Sequence, residues 1–150
     1  MEIHKSLNHP NIIKLIKAKE TDNCIYLVFE DIEKNISYYL KQGSRFNKFE
    51  YKQIIQGIVD GNLYLQEKNI FHRDIKPSNI YFINENNIII PKIANLTLCA
   101  KIGEIHTEKV GTISYMAPEV IQEINYGEKC DLWSLGITFY EIYNGYTPYG

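Results

Sequence analysis

The sequence predicts an α+β protein that is mostly helical, with a few short antiparallel strand pairs. Apolar residues recur at helical spacing over two long segments, 48–68 and 131–143, and short apolar runs bounded by polar turns lie between them. The chain has 150 residues, of which 45% are hydrophobic, and this is enough to bury one sizeable core. We therefore expect a single domain-sized unit.

The predicted elements before residue 44 are short. Pro10 marks the end of a helix, since proline rarely continues one. Residues 12–18 and 24–29 are interpreted as strands, the second of them buried. Residues 36–40 begin an amphipathic helix that Gly43 ends.

The later elements are a long helix, a hairpin and a second helix. The helix at 48–68 has apolar residues at helix-like spacing. These residues are Ile54, Ile55, Ile58, Leu63 and Leu65. Residues 80–83 and 88–93 are apolar and are joined by the polar segment 84–87, which predicts a hairpin. The apolar helix at 131–143 is assigned to the core.

Composition excludes several classes of protein. The net charge of −2 lacks the basic excess of a nucleic-acid binder. Three widely separated cysteines, without zinc-like spacing, are typical of reduced thiols in a cytosolic protein. The sequence has neither a signal peptide nor an apolar stretch long enough to span a membrane. We expect a cytoplasmic or nuclear protein with no nucleic-acid or membrane partner.

Residues 72–79 form the most informative motif, HRDIKPSN. The motif resembles the catalytic loop of eukaryotic-type protein kinases, H-R-D-x-K-x-x-N. The phosphoryl transfer that this resemblance implies needs a carboxylate to accept the hydroxyl proton, a cation for the moving charge and an oxygen ligand for a metal ion. Asp74, Lys76 and Asn79 match these three needs. The lysine at position 76 is what Ser/Thr kinases show.

Two further blocks follow in the order that this family shows. Residues 111–119, GTISYMAPE, resemble the end of the activation segment, and residues 131–136, DLWSLG, resemble the start of the large core helix. The resemblance implies that Asp131 holds the backbone of the catalytic loop. It also implies that Thr112 lies near Asp74 and shapes the substrate site.

The resemblance extends to the start of the chain. Residues 7–13, LNHPNII, look like the turn after helix C, and residues 26–32, YLVFEDI, look like the adenine-binding hinge. Phe29 is then expected at the gatekeeper position, with the backbone of Glu30 and Ile32 facing adenine. The resemblance covers essentially the whole chain.

The resemblance therefore implies a protein-kinase-like fold, present in part. Residues 1–31 correspond to a remnant of the N-terminal lobe, and residues 32–150 correspond to the hinge and the C-terminal lobe up to the large core helix. The sequence contains neither the Gly-rich loop nor the V-A-I-K lysine of the family. We interpret the chain as a fragment of a kinase domain or a truncated gene product.

The sequence departs from the family where the D-F-G motif is expected. Residues 95–97 read Asn-Leu-Thr there. A neutral amide at Asn95 removes a charge opposite the triphosphate and weakens the metal site that it shares with Asn79. Thr97 replaces a conformationally permissive glycine. Tyr81 stands where the family places a leucine beneath adenine, which bears on nucleotide binding.

Arg73 indicates regulation through the activation segment. In kinases with this arginine, a phosphate or an acid usually neutralises it. Thr107 is the nearest candidate phosphorylation site, and Thr112 belongs to the same segment. Glu108 is a fixed carboxylate that could partly replace the phosphate. The alternative is that Glu108 is a solvated acidic residue of a polar loop.

Three functions remain open from the sequence. The family implies a Ser/Thr kinase that uses ATP and Mg²⁺ to phosphorylate a protein substrate, with Asp74 as base. The Asn-Leu-Thr triplet motivates a pseudokinase that acts as a scaffold for a regulatory protein partner. The third possibility is a non-catalytic fragment.

Overall fold

A computed structural model describes residues 2–32, 34–86 and 88–149. The helices in these ranges are α1 Glu2–Ser6, α2 Ile36–Lys41, α3 Lys48–Glu67, α4 Pro118–Ile121 and α5 Lys129–Asn144. The strands are β1 Leu15–Glu20, β2 Ile25–Phe29, β3 Ile70–Phe71, β4 Ile80–Glu85, β5 Ile88–Ile93 and β6 Ala100–Lys101. The strands form antiparallel pairs, β1 with β2, β3 with β6 and β4 with β5. The predicted α+β class is confirmed.

The first strand pair is more exposed than the sequence predicts. In β1 and β2, Leu15 pairs with Phe29 and Glu20 pairs with Ile25. The side chains of Ile25, Tyr26 and Val28 are all more than half exposed. The prediction of a buried strand at 24–29 is therefore wrong, although the strand exists. Apolar composition alone could not reveal that the described residues leave this pair largely uncovered.

Helix α3 begins with a reciprocal cap. The side chain of Asn47 accepts hydrogen bonds from the backbone amides of Phe49 and Glu50, and Glu50 Oε2 accepts one from the Asn47 amide. This capping box satisfies amides that the helix itself leaves unpaired. The predicted helix at 48–68 is confirmed. Leu63 is an exception to its predicted apolar face, because it is about half exposed.

The hairpin of β4 and β5 packs against α3. Ile80 pairs with Ile93 at one end of the hairpin, and Glu85 pairs with Ile88 at the other. A Cβ at Gly61 of α3 would lie 2.8 Å from the backbone oxygen of Asn11. Only glycine allows this close approach of the helix to the segment that precedes β1. The backbone amide of Ile93 bonds to the same Asn11 oxygen at 2.9 Å.

Helix α5 contributes one face to the core. Leu135 and Ile142 are buried, whereas Leu132 and Tyr143 on the same helix are more than half exposed. The prediction of a core helix at 131–143 is thus confirmed for one face only.

The largest fully buried side chains of the described residues are Ile12, Ile36, Ile54, Ile58, Asn62, Leu65, Phe71, His72, Ile75, Ile80, Ile93 and Ile142. None of the described helices is both long enough and apolar enough to cross a bilayer.

Candidate active site

Asp131 of α5 anchors the loop at 72–79. Its Oδ2 accepts a hydrogen bond from the backbone amide of His72 at 2.6 Å, and its Oδ1 accepts one from the amide of Arg73 at 2.9 Å. Asp131 is fully buried, and burial raises the pKa of its carboxyl group, while the two amides oppose that rise. Arg73 has a φ of +70°, a conformation that costs energy in most residues. The anchor holds the loop in this conformation.

His72 stabilises the same loop from inside the core. Its Nδ1 accepts a hydrogen bond from the backbone amide of Asp74 at 3.2 Å. Since Nδ1 accepts, Nε2 carries the proton and donates to the Ala94 carbonyl oxygen at 2.9 Å. His72 therefore joins the loop to the end of β5.

Asp74 lies at the centre of a polar cluster. Thr112 Oγ1 donates a hydrogen bond to its Oδ1 at 2.7 Å. Lys76 Nζ and Asn79 Nδ2 lie 3.0 Å and 2.8 Å from its Oδ2. Lys76 also donates to Thr112 Oγ1 at 2.5 Å. The structure thus brings together the three residues predicted from the motif and the predicted Thr112.

The backbone at Gly111 permits this approach of Thr112. Gly111 has a φ of +105°, and a Cβ there would collide with the carbonyl oxygen of Arg73 and lie 3.7 Å from Asp74 Oδ1. Any other residue would push the activation segment away from the loop.

A cavity of about 230 Å³ opens beside the cluster. Its lining includes four of the predicted binding residues, Phe29, Asn79, Tyr81 and Asn95. Ile32 lies elsewhere, in a neighbouring polar groove. Ligand pockets are commonly about 300 Å³ or larger, so this cavity is smaller than a typical ligand pocket. The structure places these residues together, although they come from distant parts of the chain.

Glu30 has a role that the sequence did not reveal. Its Oε1 accepts a hydrogen bond from the backbone amide of Lys14 at 2.7 Å and forms an ion pair with Lys92 at 3.0 Å. Lys92 is buried in β5. The pair fixes the end of β2 against β5. The sequence feature that could have indicated this ion pair is the lysine within the apolar run of β5.

Asn95 lies at the mouth of the cavity in the left-handed region, with φ of 60° and ψ of 61°. Asparagine tolerates this region better than most residues. The positive φ falls on Asn95, and Thr97 is not among the described residues with positive φ. Leu96 is buried. The glycine that Thr97 replaces is therefore not needed for this conformation.

The donor set at Asn79 and Asn95 does not fit Mg²⁺. Asn95 Nδ2 donates a hydrogen bond to Asn79 Oδ1 at 3.3 Å, and Thr97 Oγ1 donates to Asn95 Oδ1 at 2.6 Å. Each amide oxygen accepts one hydrogen bond, and neither oxygen carries the negative charge of a carboxylate. Proteins hold Mg²⁺ with one or two carboxylates in addition to substrate phosphates. The carboxylate of the polar cluster, that of Asp74, is paired with Lys76.

Arg73 contacts the activation segment through its side chain. Its guanidinium group lies 3.4 Å from Glu108 Oε2 and 3.3 Å from the hydroxyl of Tyr126, which donates to the Glu108 carbonyl oxygen at 2.7 Å. The pKa of Glu108 is lowered, first by its own backbone amide and then by Arg73 and His106. Thr107 is exposed. Glu108 is thus close to Arg73, as the fixed-carboxylate hypothesis expects.

His4 lines the cavity, and no motif in the sequence pointed to it. Its ring centroid lies 5.4 Å from that of Phe29. The side chain is buried, and burial is the largest cause of its lowered pKa. Its Nδ1 has no hydrogen-bond partner among the described residues. The described lining of the cavity therefore includes one buried imidazole.

An aspartate, a lysine and a threonine thus contact one another on a loop beside a small cavity. A family model described as the protein kinase domain matches residues 1–150. The chain belongs to the protein kinase family.

Several curated kinases are similar to the chain. Calcium-dependent protein kinase 3 of Plasmodium yoelii yoelii is 38% identical over 157 residues, which cover 99% of this chain and 28% of that protein. Calcium-dependent protein kinase 5 of Plasmodium berghei (strain Anka) is 36% identical over 151 residues, which cover 98% of this chain and 26% of that protein. The chain thus spans about a quarter of the length of these relatives.

Proposed function

We propose that this chain carries the catalytic loop of a Ser/Thr protein kinase, which transfers the γ-phosphoryl group of ATP to a serine or threonine hydroxyl of a protein substrate. The observation that supports this most directly is the cluster of Asp74, Lys76 and Thr112. The family also uses ATP and Mg²⁺ in general. In this chain, the residues of the loop at 72–79 support the proposal.

The hydrogen bonds of Asp74 favour Oδ1 as the oxygen that accepts the proton. A carboxylate offers about four acceptor positions, two on each oxygen. Lys76 and Asn79 occupy those of Oδ2, whereas Thr112 occupies one of the two on Oδ1. The free position on Oδ1 takes the hydroxyl proton. The hydroxyl oxygen then bonds to the γ-phosphorus, and the bond to the β–γ bridging oxygen breaks to leave ADP.

Lys76 balances charge in this step. Its ammonium group lies between Asp74 and Thr112, where it stabilises the negative charge that spreads over the phosphoryl oxygens. Thr112 then positions Asp74 and contributes to the substrate site. Both residues thus hold the carboxylate that accepts the proton of the substrate hydroxyl.

For the nucleotide, we propose that the base contacts Phe29 and Tyr81 in the cavity, with the backbone of Glu30 and Ile32 on the hinge side. The phosphates then extend toward Asn79 and Asn95. On this proposal, residues 1–31 and 32–150 flank the nucleotide as parts of two lobes. The three free cysteines of the described residues support a cytoplasmic location.

For regulation, we propose that Arg73 receives a negative charge from the activation segment. Glu108 supplies one at 3.4 Å, and phosphorylation of Thr107 would add a second. Because Glu108 is exposed, its pair with Arg73 is weak and sensitive to salt. The phosphate would strengthen an arrangement that already exists.

A second function is favoured by one observation, the hydrogen bond between Asn79 and Asn95. In this neutral pair, Asn95 stands where the family places a metal-binding aspartate. Without that charge, the domain would bind a regulatory protein partner as a scaffold and would not transfer phosphate.

The test is transfer of radiolabelled phosphate by the full-length chain to matched peptides that contain Ser, Thr or Tyr. Label on the Ser and Thr peptides, lost by about a hundredfold or more in Asp74→Asn, supports the kinase. Asp22→Asn is the matched control, because Asp22 is exposed in the turn between β1 and β2. Absence of transfer by the folded wild-type chain overturns the kinase proposal and favours the scaffold.

A further inference from the structure

A continuous chain of hydrogen bonds fixes the side-chain amides beside the cavity. Asn79 Nδ2 donates to both the carbonyl oxygen and Oδ2 of Asp74, each at 2.8 Å. Its Oδ1 must therefore point the other way, where it accepts from Asn95 Nδ2 at 3.3 Å. The side-chain oxygen of Asn95, Oδ1, accepts a hydrogen bond from Thr97 Oγ1 at 2.6 Å. Each amide has one orientation that satisfies all of these bonds.

This orientation leaves one amide hydrogen of Asn95 without an acceptor among the described residues. One hydrogen of Asn95 Nδ2 is used by Asn79, and the second has no acceptor among the described residues. Asn95 is also exposed at the mouth of the cavity, so a ligand can reach that hydrogen. A site built for a cation would present oxygens here.

The charge of the site also favours a free phosphate over a divalent cation. Asp74 carries one negative charge, which Lys76 neutralises at 3.0 Å, and the amides of Asn79 and Asn95 add none. The site therefore neither attracts a divalent cation nor repels a free phosphate. An N–H that donates to an anionic oxygen forms a stronger bond than one between neutral groups.

We propose that this cavity takes a nucleoside phosphate as the free anion, not as its Mg²⁺ complex, with Asn95 Nδ2 donating a hydrogen bond to a phosphate oxygen. The inference rests on the nucleotide pocket of the proposed function. It reverses the usual effect of the cation: Mg²⁺ competes with Asn95 for the phosphate oxygens and so weakens binding or leaves it unchanged.

The test is calorimetric titration of the full-length chain with ADP, in excess EDTA and in millimolar Mg²⁺. We expect ADP to bind at least as tightly in EDTA as in Mg²⁺. In Asn95→Asp the donor becomes a carboxylate, so we expect binding in EDTA to weaken about tenfold or more and Mg²⁺ to restore it. Aspartate also tolerates the left-handed conformation, so this variant retains the local backbone.

Two controls locate the effect at the phosphate of the ligand. Asn86→Asp adds the same charge at an exposed asparagine with a φ of 52° in the hairpin, and it should behave as the wild type does. Adenosine has no phosphate, so Asn95→Asp should leave its affinity unchanged. A loss of adenosine binding would place the effect on the base and overturn the proposed hydrogen bond.

The outcomes separate this inference from the proposed function. ADP that binds the wild-type chain only when Mg²⁺ is present overturns the inference and leaves the kinase site standing. ADP that binds under neither condition overturns both. ADP that binds in EDTA without phosphate transfer supports the inference and favours the scaffold.

Discussion

The backbone nitrogen of His72 lies 2.6 Å from Oδ2 of Asp131, a residue 59 positions further along the chain. The other oxygen of the same carboxylate accepts the amide of Arg73. One fully buried side chain of α5 therefore sets the backbone of two consecutive residues just before Asp74. The position of the proposed base depends on this contact between distant segments.

Replacement of Asp131 by alanine should destabilise the protein strongly. Asp131→Ala leaves the buried amide of His72 and the partly buried amide of Arg73 without acceptors, and a buried group in this state costs about 1–3 kcal/mol. We expect the free energy of unfolding to fall by about 3 kcal/mol or more, as measured by urea denaturation. Asp22→Ala, at an exposed aspartate, should change it by less than about 0.5 kcal/mol. Similar losses in the two variants would contradict the anchoring role.

Alanine substitutions at two glycines with positive φ distinguish the effect of a steric clash from the effect of backbone strain. Gly111 and Gly103 both have positive φ, 105° and 90°, but a Cβ added at Gly111 would meet neighbouring atoms, whereas one added at Gly103 would meet none within 4 Å among the described residues. Gly111→Ala should therefore lower the free energy of unfolding by about 1–3 kcal/mol more than Gly103→Ala does. Thermal or urea denaturation of both variants measures the difference. Equal losses would show that strain alone accounts for the effect.

The hydroxyl of Tyr126 should stabilise the activation segment. It accepts a hydrogen bond from Arg73 at 3.3 Å and donates one to the Glu108 carbonyl oxygen at 2.7 Å. Tyr126→Phe should lower the free energy of unfolding by about 1 kcal/mol. It should also speed limited proteolysis between residues 103 and 110. Tyr26→Phe, at an exposed tyrosine of β2, is the control and should leave both unchanged. Unaltered cleavage in Tyr126→Phe would contradict the prediction.

Cys99 should make stability depend on pH in alkaline solution. Burial is the first cause that raises the pKa of its thiol from 9.0 to about 12, and the Asp131 carboxylate adds to the rise. The folded state thus holds the proton that the unfolded chain releases above pH 9. The contribution to stability is complete below pH 9 and is lost as the pH rises toward 12.

The measurement is urea denaturation of the wild type and Cys99→Ala at pH 7 and pH 10. Between pH 7 and pH 10, the free energy of unfolding should fall by about 1 kcal/mol more in the wild type than in Cys99→Ala. Cys24→Ala, at an exposed cysteine, should follow the wild type. If Cys99→Ala shows the same pH dependence as the wild type, the thiol is not the titrating group.

Much of the site could be predicted from sequence because its residues lie close together in the chain. Asp74, Lys76 and Asn79 fall within one short loop, and their spacing alone brings them together. Helix α3 was equally predictable, since its apolar spacing and its cap at Asn47 are local features. By contrast, the exposure of β2 depends on what covers it, and no local pattern records that.

Periodicity, caps and motifs act over a few residues, so the family, the order of the elements and the loop that carries Asp74 follow from the sequence alone. The orientation of the amides of Asn79 and Asn95 needed the folded chain, since it follows from hydrogen bonds between a loop and the segment after β5. The fold also placed His4 in the lining of the cavity and paired Lys92 with Glu30. Contacts between distant segments depend on packing, which a single sequence does not display.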